Sequence, residues 1–247
     1  EGTWFRIDNT SVASTVRRAA DRLAETLGLP EEAASNLSIV AAEMTSNLLK
    51  HATEGTLLLR PVRNADTAGV ELVAVDSGPG MVDLPRFMRD GHSTSGTLGI
   101  GLGSIVRQAG WCDMHSVPGK GTTLAVQVWP GDVPAPAWAS GASRPITGET
   151  VSGDGYAIRV ADGRHQVLVS DGLGHGPLAA TASQAAVNAF RAAPAVPPGV
   201  LVETVHRAIA HTRGAAIAVA ELDAAAGLVR YAGLGNIAGT IVEGTSR

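Results

Sequence analysis

The sequence predicts an α+β protein of two domains, each a β-sheet with helices on one face, and three observations lead there. In the first half, strand-like runs flank two long amphipathic helices. In the second half the order of elements reads ββααβββ, which suggests helices packed on an antiparallel sheet. Between the halves, residues 130–148 carry three prolines within seven residues followed by Ser and Gly, the composition of an extended linker. These boundaries divide the chain into a domain at 1–130, a linker at 131–149 and a domain at 150–247.

The elements follow in order. Trp4–Asp8 alternates like a strand. Val12, Val16, Ala19, Ala20, Leu23 and Leu27 recur at helical spacing, with Thr10 or Ser11 as the cap and Gly28 as the stop. A second helix starts near Pro30-Glu31-Glu32, where proline and acids suit a helix start, and runs to His51. Thr56–Val62 and Val70–Asp76 read as strands, a helix opens at Gly99–Gly103, and Trp111–Val117 and Thr122–Trp129 return as strands. In the second half, Gly155–Ala161 and His165–Ser170 flank Asp162-Gly163, a strong hairpin signal. Helices at Pro177–Ala192 and Gly199–Thr212 follow, then strands at Ala215–Leu222, Leu228–Ala232 and Ile237–Val242.

Composition narrows the function classes. At 247 residues, 45% apolar and 17% charged, the chain is long and apolar enough for sizeable cores, built from Val, Leu, Ile and Ala because aromatics are only 4%. A net charge of −4, spread over both halves, leaves no basic footprint for nucleic acid. The single cysteine, Cys112, rules out an intramolecular disulfide and fits a reducing cytoplasm. No apolar run approaches the ~20 residues of a membrane helix.

Chemistry concentrates in two regions. On the second helix Leu37, Val40, Ala41, Met44 and Leu48 form a core stripe, while Glu43, Asn47 and Lys50/His51 share the other face. A carboxylate, an amide and a basic group in line suit a magnesium–phosphate site. One Asn oxygen can anchor Mg2+, which keeps most of its water, and the carboxylate is then free to act as a base. Asp76 ends a strand and meets Gly78-Pro-Gly80. A carboxylate there can accept from an adenine amino group, with glycines letting backbone approach the base. Gly99-Ile100-Gly101-Leu102-Gly103 opens a helix, whose free N–H groups can hold phosphate oxygens. In the second half Asp154 and Asp171 stand at the ends of adjacent strands. Two such carboxylates can bridge paired Mg2+ or Mn2+ ions that activate a water against a phosphate ester, with Gly172 adding a carbonyl.

The series Glu43…Asn47, Asp76-x-Gly-x-Gly80, Gly99-x-Gly-x-Gly103 and Gly119-Lys-Gly-Thr-Thr123 resembles the GHKL ATPase fold, and within it the bacterial anti-sigma and switch-protein serine kinases of the RsbT type. The resemblance covers about residues 5–130. It implies a Bergerat α/β sandwich with a mixed sheet, ATP and Mg2+ as cofactors, and phosphorylation of Ser or Thr on a STAS-type partner. It implies Glu43 as catalytic base, Asn47 as magnesium ligand, Asp76 as adenine reader, the glycines at 99, 101 and 103 as phosphate loop, and Thr123 near the adenine. Ser152-Gly-Asp154, Ser170-Asp-Gly-Leu-Gly-His-Gly176 and Tyr231-Ala-Gly-Leu-Gly-Asn236 are similar to the PPM phosphatases of the SpoIIE and RsbX type. That implies a partial αββα domain hydrolysing phosphoserine or phosphothreonine with an Mn2+ or Mg2+ pair. Further metal aspartates of that family lie downstream of the Ala-Gly segment, so this half reads as truncated. The combined expectation is a bifunctional cytoplasmic stress-signalling regulator, with a homodimer left open. The alternative is an ATP-binding anti-sigma factor that sequesters a sigma subunit and carries a non-catalytic, phosphatase-like docking domain.

Overall fold

A computed structural model describes residues 2–64, 67–82, 101–131, 138–146 and 148–241. The chain forms two compact units, Glu1–Pro136 and Ala137–Arg247.

The first unit is a five-stranded sheet with helices on one face. Its strands are β1 (Thr3–Arg6), β2 (Thr56–Asn64), β3 (Thr67–Asp76), β4 (Trp111–Val117) and β5 (Gly121–Val128). They stand in the order β1-β2-β3-β5-β4, and every pairing is antiparallel. The expected mixed sheet is therefore corrected. The turn at 118–120 folds β5 back beside β4, and β5 inserts between β4 and β3, antiparallel to both. Helix α1 (Thr10–Leu27) is capped by Asn9, whose side chain accepts from the Ser11 N–H, and not by Thr10 or Ser11. It ends at Gly28 in the left-handed region (φ 65), with the Gly28 and Leu29 N–H groups donating to Glu25 and Ala24. Helix α2 (Glu31–His51) buries Ala33, Leu37, Val40, Ala41, Met44, Thr45 and Leu48, the expected stripe extended at both edges. Helix α3 (Gly101–Gln108) packs against α2.

Alternation decides what each sheet face carries. Leu57, Leu59, Val70, Leu72, Ala74, Leu124, Val126 and Val128 meet the helices. Glu71 lies on the other face, buried and held by three groups in sequence. Arg60 Nε donates to its Oε2 at 2.6 Å, Gln127 Nε2 donates to Oε1 at 2.8 Å, and Trp129 Nε1 donates to Gln127 Oε1 at 3.0 Å.

The second unit is a four-stranded antiparallel sheet in sequence order: β6 (Asp154–Ala161), β7 (Arg164–Gly172), β8 (Ala215–Asp223) and β9 (Leu228–Leu234). The β6–β7 turn is Asp162-Gly163 with φ 50 and 71, the pair of positive values a two-residue hairpin needs. Helices α4 (Gly176–Ala192) and α5 (Pro198–Ala208) cover one face, where Ala157, Leu168, Ile217 and Val219 meet Ala186, Phe190, Leu201 and Val205. Arg159 fastens α4 at its end. Its guanidinium lies over the Phe190 ring and donates to the Phe190 and Ala193 carbonyls at 2.6 Å each. The expected strand at Ile237–Val242 does not form over the described residues 237–241. Beyond β9 the chain curls back instead, with the Tyr231 hydroxyl donating to the Ile237 carbonyl at 3.3 Å and Gly239 against the Tyr231 ring. Upstream, Trp138 meets His165 edge-on at 5.1 Å and Gly141 lies on the Tyr156 ring, so residues 138–141 pack on this unit. No helix among the described residues is long and apolar enough to cross a membrane.

Candidate functional site

Glu43 and Asn47 are one helical turn apart on α2, both half-buried, on the side left free by the core stripe. Among the described residues neither side chain makes a hydrogen bond, so a carboxylate and an amide oxygen stand free side by side. Lys50 and His51 follow in the last turn of α2 and are exposed. Helix α3 begins at Gly101, with Leu102 half-buried and Gly103 buried. Because α3 packs on α2, the described part of the glycine loop belongs to the same layer as Glu43 and Asn47. Gly99 and Ile100 lie outside the described residues.

Asp76 ends β3 beside the C-terminus of α2. The Ser77 N–H donates to the Thr53 carbonyl at 2.8 Å, and Asp76 Oδ1 accepts from the Gly78 N–H at 2.7 Å. No donor among the described residues engages the other carboxylate oxygen, and the residue is half-buried. This is an acceptor in reduced contact with water, the property that recognition of a base amino group requires.

The glycines around Asp76 are also constrained by the chain's own packing. A Cβ on Gly78 would stand 2.7 Å from Asp76 Oδ1 and 3.1 Å from the His51 carbonyl oxygen. On Gly80 (φ 65) it would stand 2.3 Å from the Val117 carbonyl oxygen. Backbone packing thus excludes a side chain at Gly80, while one at Gly78 would displace the Asp76 carboxylate. The loop is tied to the β4–β5 hairpin as well. The Gly119 N–H donates to the Pro79 carbonyl at 2.8 Å, and the Met81 N–H donates to Ser116 Oγ at 2.8 Å.

Strand register separates the two adjacent threonines. Asp76 pairs with Thr122, while Thr123 pairs with Val75 and His115. Directly opposed residues share a face, so Thr122 stands on Asp76's side and Thr123 on the other. Thr123, the residue expected near the adenine, thus stands on the face opposite Asp76, and Thr122 is the threonine on Asp76's side. Thr122 Oγ1 lies 2.9 Å from Ser116 Oγ, which completes the link between the hairpin and the Asp76 loop. Alternation identifies Thr122 only once the β3–β5 register is known, so the sequence carried no usable signal for it.

In the second unit Asp154 and Asp171 are direct cross-strand partners, exposed on the sheet face away from α4 and α5. Partial burial, then the charge of Asp171 and a hydrogen bond with it, hold the Asp154 carboxyl above the ordinary carboxylate range. Two like charges this close fit a divalent cation between them. The pair supplies only two carboxylates, and no group of three His, Cys, Asp or Glu side chains among the described residues is arranged around a metal. Mg2+ accepts one or two carboxylates with water completing its shell, so the donor set fits. Gly172 lies inward against α4, where a Cβ would stand 2.2 Å from the Ala179 carbonyl oxygen. Glu149 was not anticipated: its Oε1 lies 2.5 Å from His175 Nδ1, at the start of α4.

Residues 5–128 match the histidine kinase-like ATPase domain. They make up half of the chain, and the chain belongs to that family. It is 30% identical over 113 residues to the serine/threonine-protein kinase RsbT of Bacillus subtilis (strain 168), an alignment covering 46% of this chain and 85% of that protein. Among solved structures, a chain from work on the bacterial stressosome, described as a modular system adapted to control secondary messenger signaling, is 32% identical with a TM-score of 0.36. The match covers 38% of this chain and spans about half, 48%, of that one. The mycobacterial sensor histidine kinase MprB is 14% identical over 54% of this chain and 99% of its own, with a TM-score of 0.34. The catalytic domain of the histidine kinase ThkA is 13% identical over 53% and 96%, with a TM-score of 0.32. Superpositions this partial carry no functional weight.

Proposed function

We propose that the first unit is an ATP- and Mg2+-dependent protein serine/threonine kinase acting on a STAS-type partner in stress signalling. The observation that carries the reading is the free pair Glu43 and Asn47, beside the core stripe of α2, in a unit that is 30% identical over 113 residues to a serine/threonine kinase. Asp76 would hold the adenine amino group on its free carboxylate oxygen, and the Asn47 amide oxygen would ligate Mg2+. Glycines 99, 101 and 103, with Ile100 and Leu102, would face the phosphates with backbone N–H groups, and Lys50 and His51 would add positive charge. Bound Mg2+-ATP supplies the phosphoryl group and neutralises charge on it. Glu43 takes the proton from the partner's hydroxyl as that oxygen becomes nucleophilic, a task of positioning and charge placement.

The direct test is transfer of labelled phosphate from ATP to candidate STAS proteins by the wild type and by Glu43→Ala. The substitution should lower transfer by about 10²–10⁴-fold, the usual share of a general base, and leave ATP binding within a few-fold. Regulation of the partner that survives intact without transfer would favour the sigma-sequestering alternative.

The second unit supports a complementary reading, hydrolysis of a phosphomonoester on the same or a related partner. Its support is the Asp154–Asp171 pairing, two carboxylates opposed across adjacent strands on an open face. They would hold Mn2+ or Mg2+, with Gly172 beside them, and the bound ions would supply the activated water.

A further inference from the structure

The turn from β7 into α4 carries a feature that the two carboxylates do not explain. Gly174 has φ 91, and a Cβ built on it would lie 3.2 Å from Nη1 and 3.9 Å from Cζ of Arg213. The guanidinium therefore lies directly over the turn. Arg213 is brought there by the approach to β8: the Leu173 N–H donates to the Gly214 carbonyl at 3.0 Å, and the Gly214 N–H donates to Thr212 Oγ1 at 3.0 Å. Gly174 is three residues from Asp171, so their Cα atoms are at most about 10 Å apart.

Four other arginines of this unit are engaged, and the exposed Arg191 lies in the last turn of α4, at the opposite end of that helix from the β7–α4 turn. Arg159 holds the end of α4, Arg164 and Arg230 neutralise Glu221, and Arg207 pairs with Glu203. Among the described residues, no acceptor lies within hydrogen-bond or ion-pair distance of the Arg213 guanidinium, which is exposed. The nearby N-terminus of α4 cannot stand in for it as an anion site. The Glu149 carboxylate is already there, its Oε2 2.9 Å from where a Cβ on Gly176 would be.

We propose that Arg213 anchors the phosphate of a phosphomonoester at the open edge of this unit, with Asp154 and Asp171 on the metal side. The inference rests on the phosphomonoester reading above. A guanidinium presents paired N–H donors that match two phosphate oxygens, and its charge offsets the two carboxylates that would otherwise repel the ligand. Arg213 binds and orients; it moves no proton.

The test uses the full chain with inorganic phosphate as probe. Mn2+ binding is followed by electron paramagnetic resonance, and phosphate binding to the Mn2+-loaded protein by calorimetry. Arg213→Ala should weaken phosphate binding about 10–100-fold, the scale of losing a charge-assisted pair, with Arg213→Lys intermediate and Mn2+ affinity unchanged in both. Phosphate affinity in Arg213→Ala equal to the wild type would overturn the assignment, as would absence of phosphate binding to the loaded wild type. The Asp171→Asn arm reports on the underlying reading: it should lose Mn2+. If it retains Mn2+ at wild-type affinity, the metal reading fails and the Arg213 assignment falls with it, a result distinct from a failure at Arg213 alone.

Discussion

Gly121 is the position where the fold of the first unit and its candidate nucleotide site meet most closely. It opens β5 with φ 111, a backbone region side-chain-bearing residues avoid, and a Cβ there would lie 1.9 Å from the Asp76 carbonyl oxygen. The next atoms in its path are the Asp76 carbonyl carbon at 2.7 Å and Ser77 Cα at 2.9 Å, all backbone. No rotamer change relieves such a clash, so Gly121→Ala must push the end of β3 away from β5 by about 1 Å or more. Backbone strain of this kind costs about 1–3 kcal/mol, and forced overpacking adds about 1–3 kcal/mol. We expect a loss of about 2–6 kcal/mol and a fall in Tm of roughly 6–24 °C, given about 3–4 °C per kcal/mol for a unit of this size. Gly119→Ala is the internal control. Its φ is 76 with nothing within 4 Å of the added carbon, so only the conformational cost of about 1–2 kcal/mol applies. Thermal unfolding by circular dichroism measures both, and calorimetric titration with ATP asks whether displacing Asp76 weakens binding in Gly121→Ala beyond Gly119→Ala. Equal stability of the two variants would refute the steric reasoning.

Two further outcomes follow from ionisable groups. Burial alone would raise the Glu221 carboxyl, but hydrogen bonds from Gln166 and Arg164, the Arg164 charge and a hydrogen bond from Arg230 outweigh it and hold the group below its usual value. A carboxylate depressed in the folded state adds stability above its unfolded pKa, about 4.3, and that stability is lost as pH falls through the folded value. Glu221→Gln should therefore flatten the acid limb of the unfolding free energy below about pH 4.3; identical limbs in the two proteins would contradict this. Burial and the neighbouring Asp113 charge push the Cys112 thiol above its usual range. Its reaction with a disulfide reagent at pH 8 should be slow in the native protein and fast in denaturant, and a native rate equal to the denatured one would remove the burial argument.

Much of this architecture was legible before any coordinates. The α2 stripe at Leu37, Val40, Ala41, Met44 and Leu48 follows from helical period alone, and the Asp162-Gly163 hairpin from the left-handed tolerance of Asp and Gly. Pairing order was not legible. Nothing local in β4 or β5 states that β5 slots in beside β3, and the antiparallel sheet depends on that one insertion. Which of Thr122 and Thr123 shares a face with Asp76 was not legible for the same reason, since strand parity has no origin until the partner strand is known. The expected strand at Ile237–Val242 is not formed over the described residues 237–241, where the Ile237 carbonyl and Gly239 fold back onto Tyr231 instead of pairing along β9. Among the candidate residues, the placement of Glu43 and Asn47 one turn apart beside the core stripe was readable from spacing along one element. Glu149 and Arg213 were not, because they reach the β7–α4 turn from distant parts of the sequence.

The opposition of Asp154 and Asp171 sets a rule for how this region can change length. Seven residues follow Asp154 in β6 before the two-residue turn, and seven precede Asp171 in β7. One added residue in either arm would turn one carboxylate to the helix-covered face and part the pair, while one added in both arms would restore the match at the cost of inverting both. Viable relatives of this hairpin should therefore gain or lose the same even number of residues in both arms, which keeps the two carboxylates opposed and on the open face.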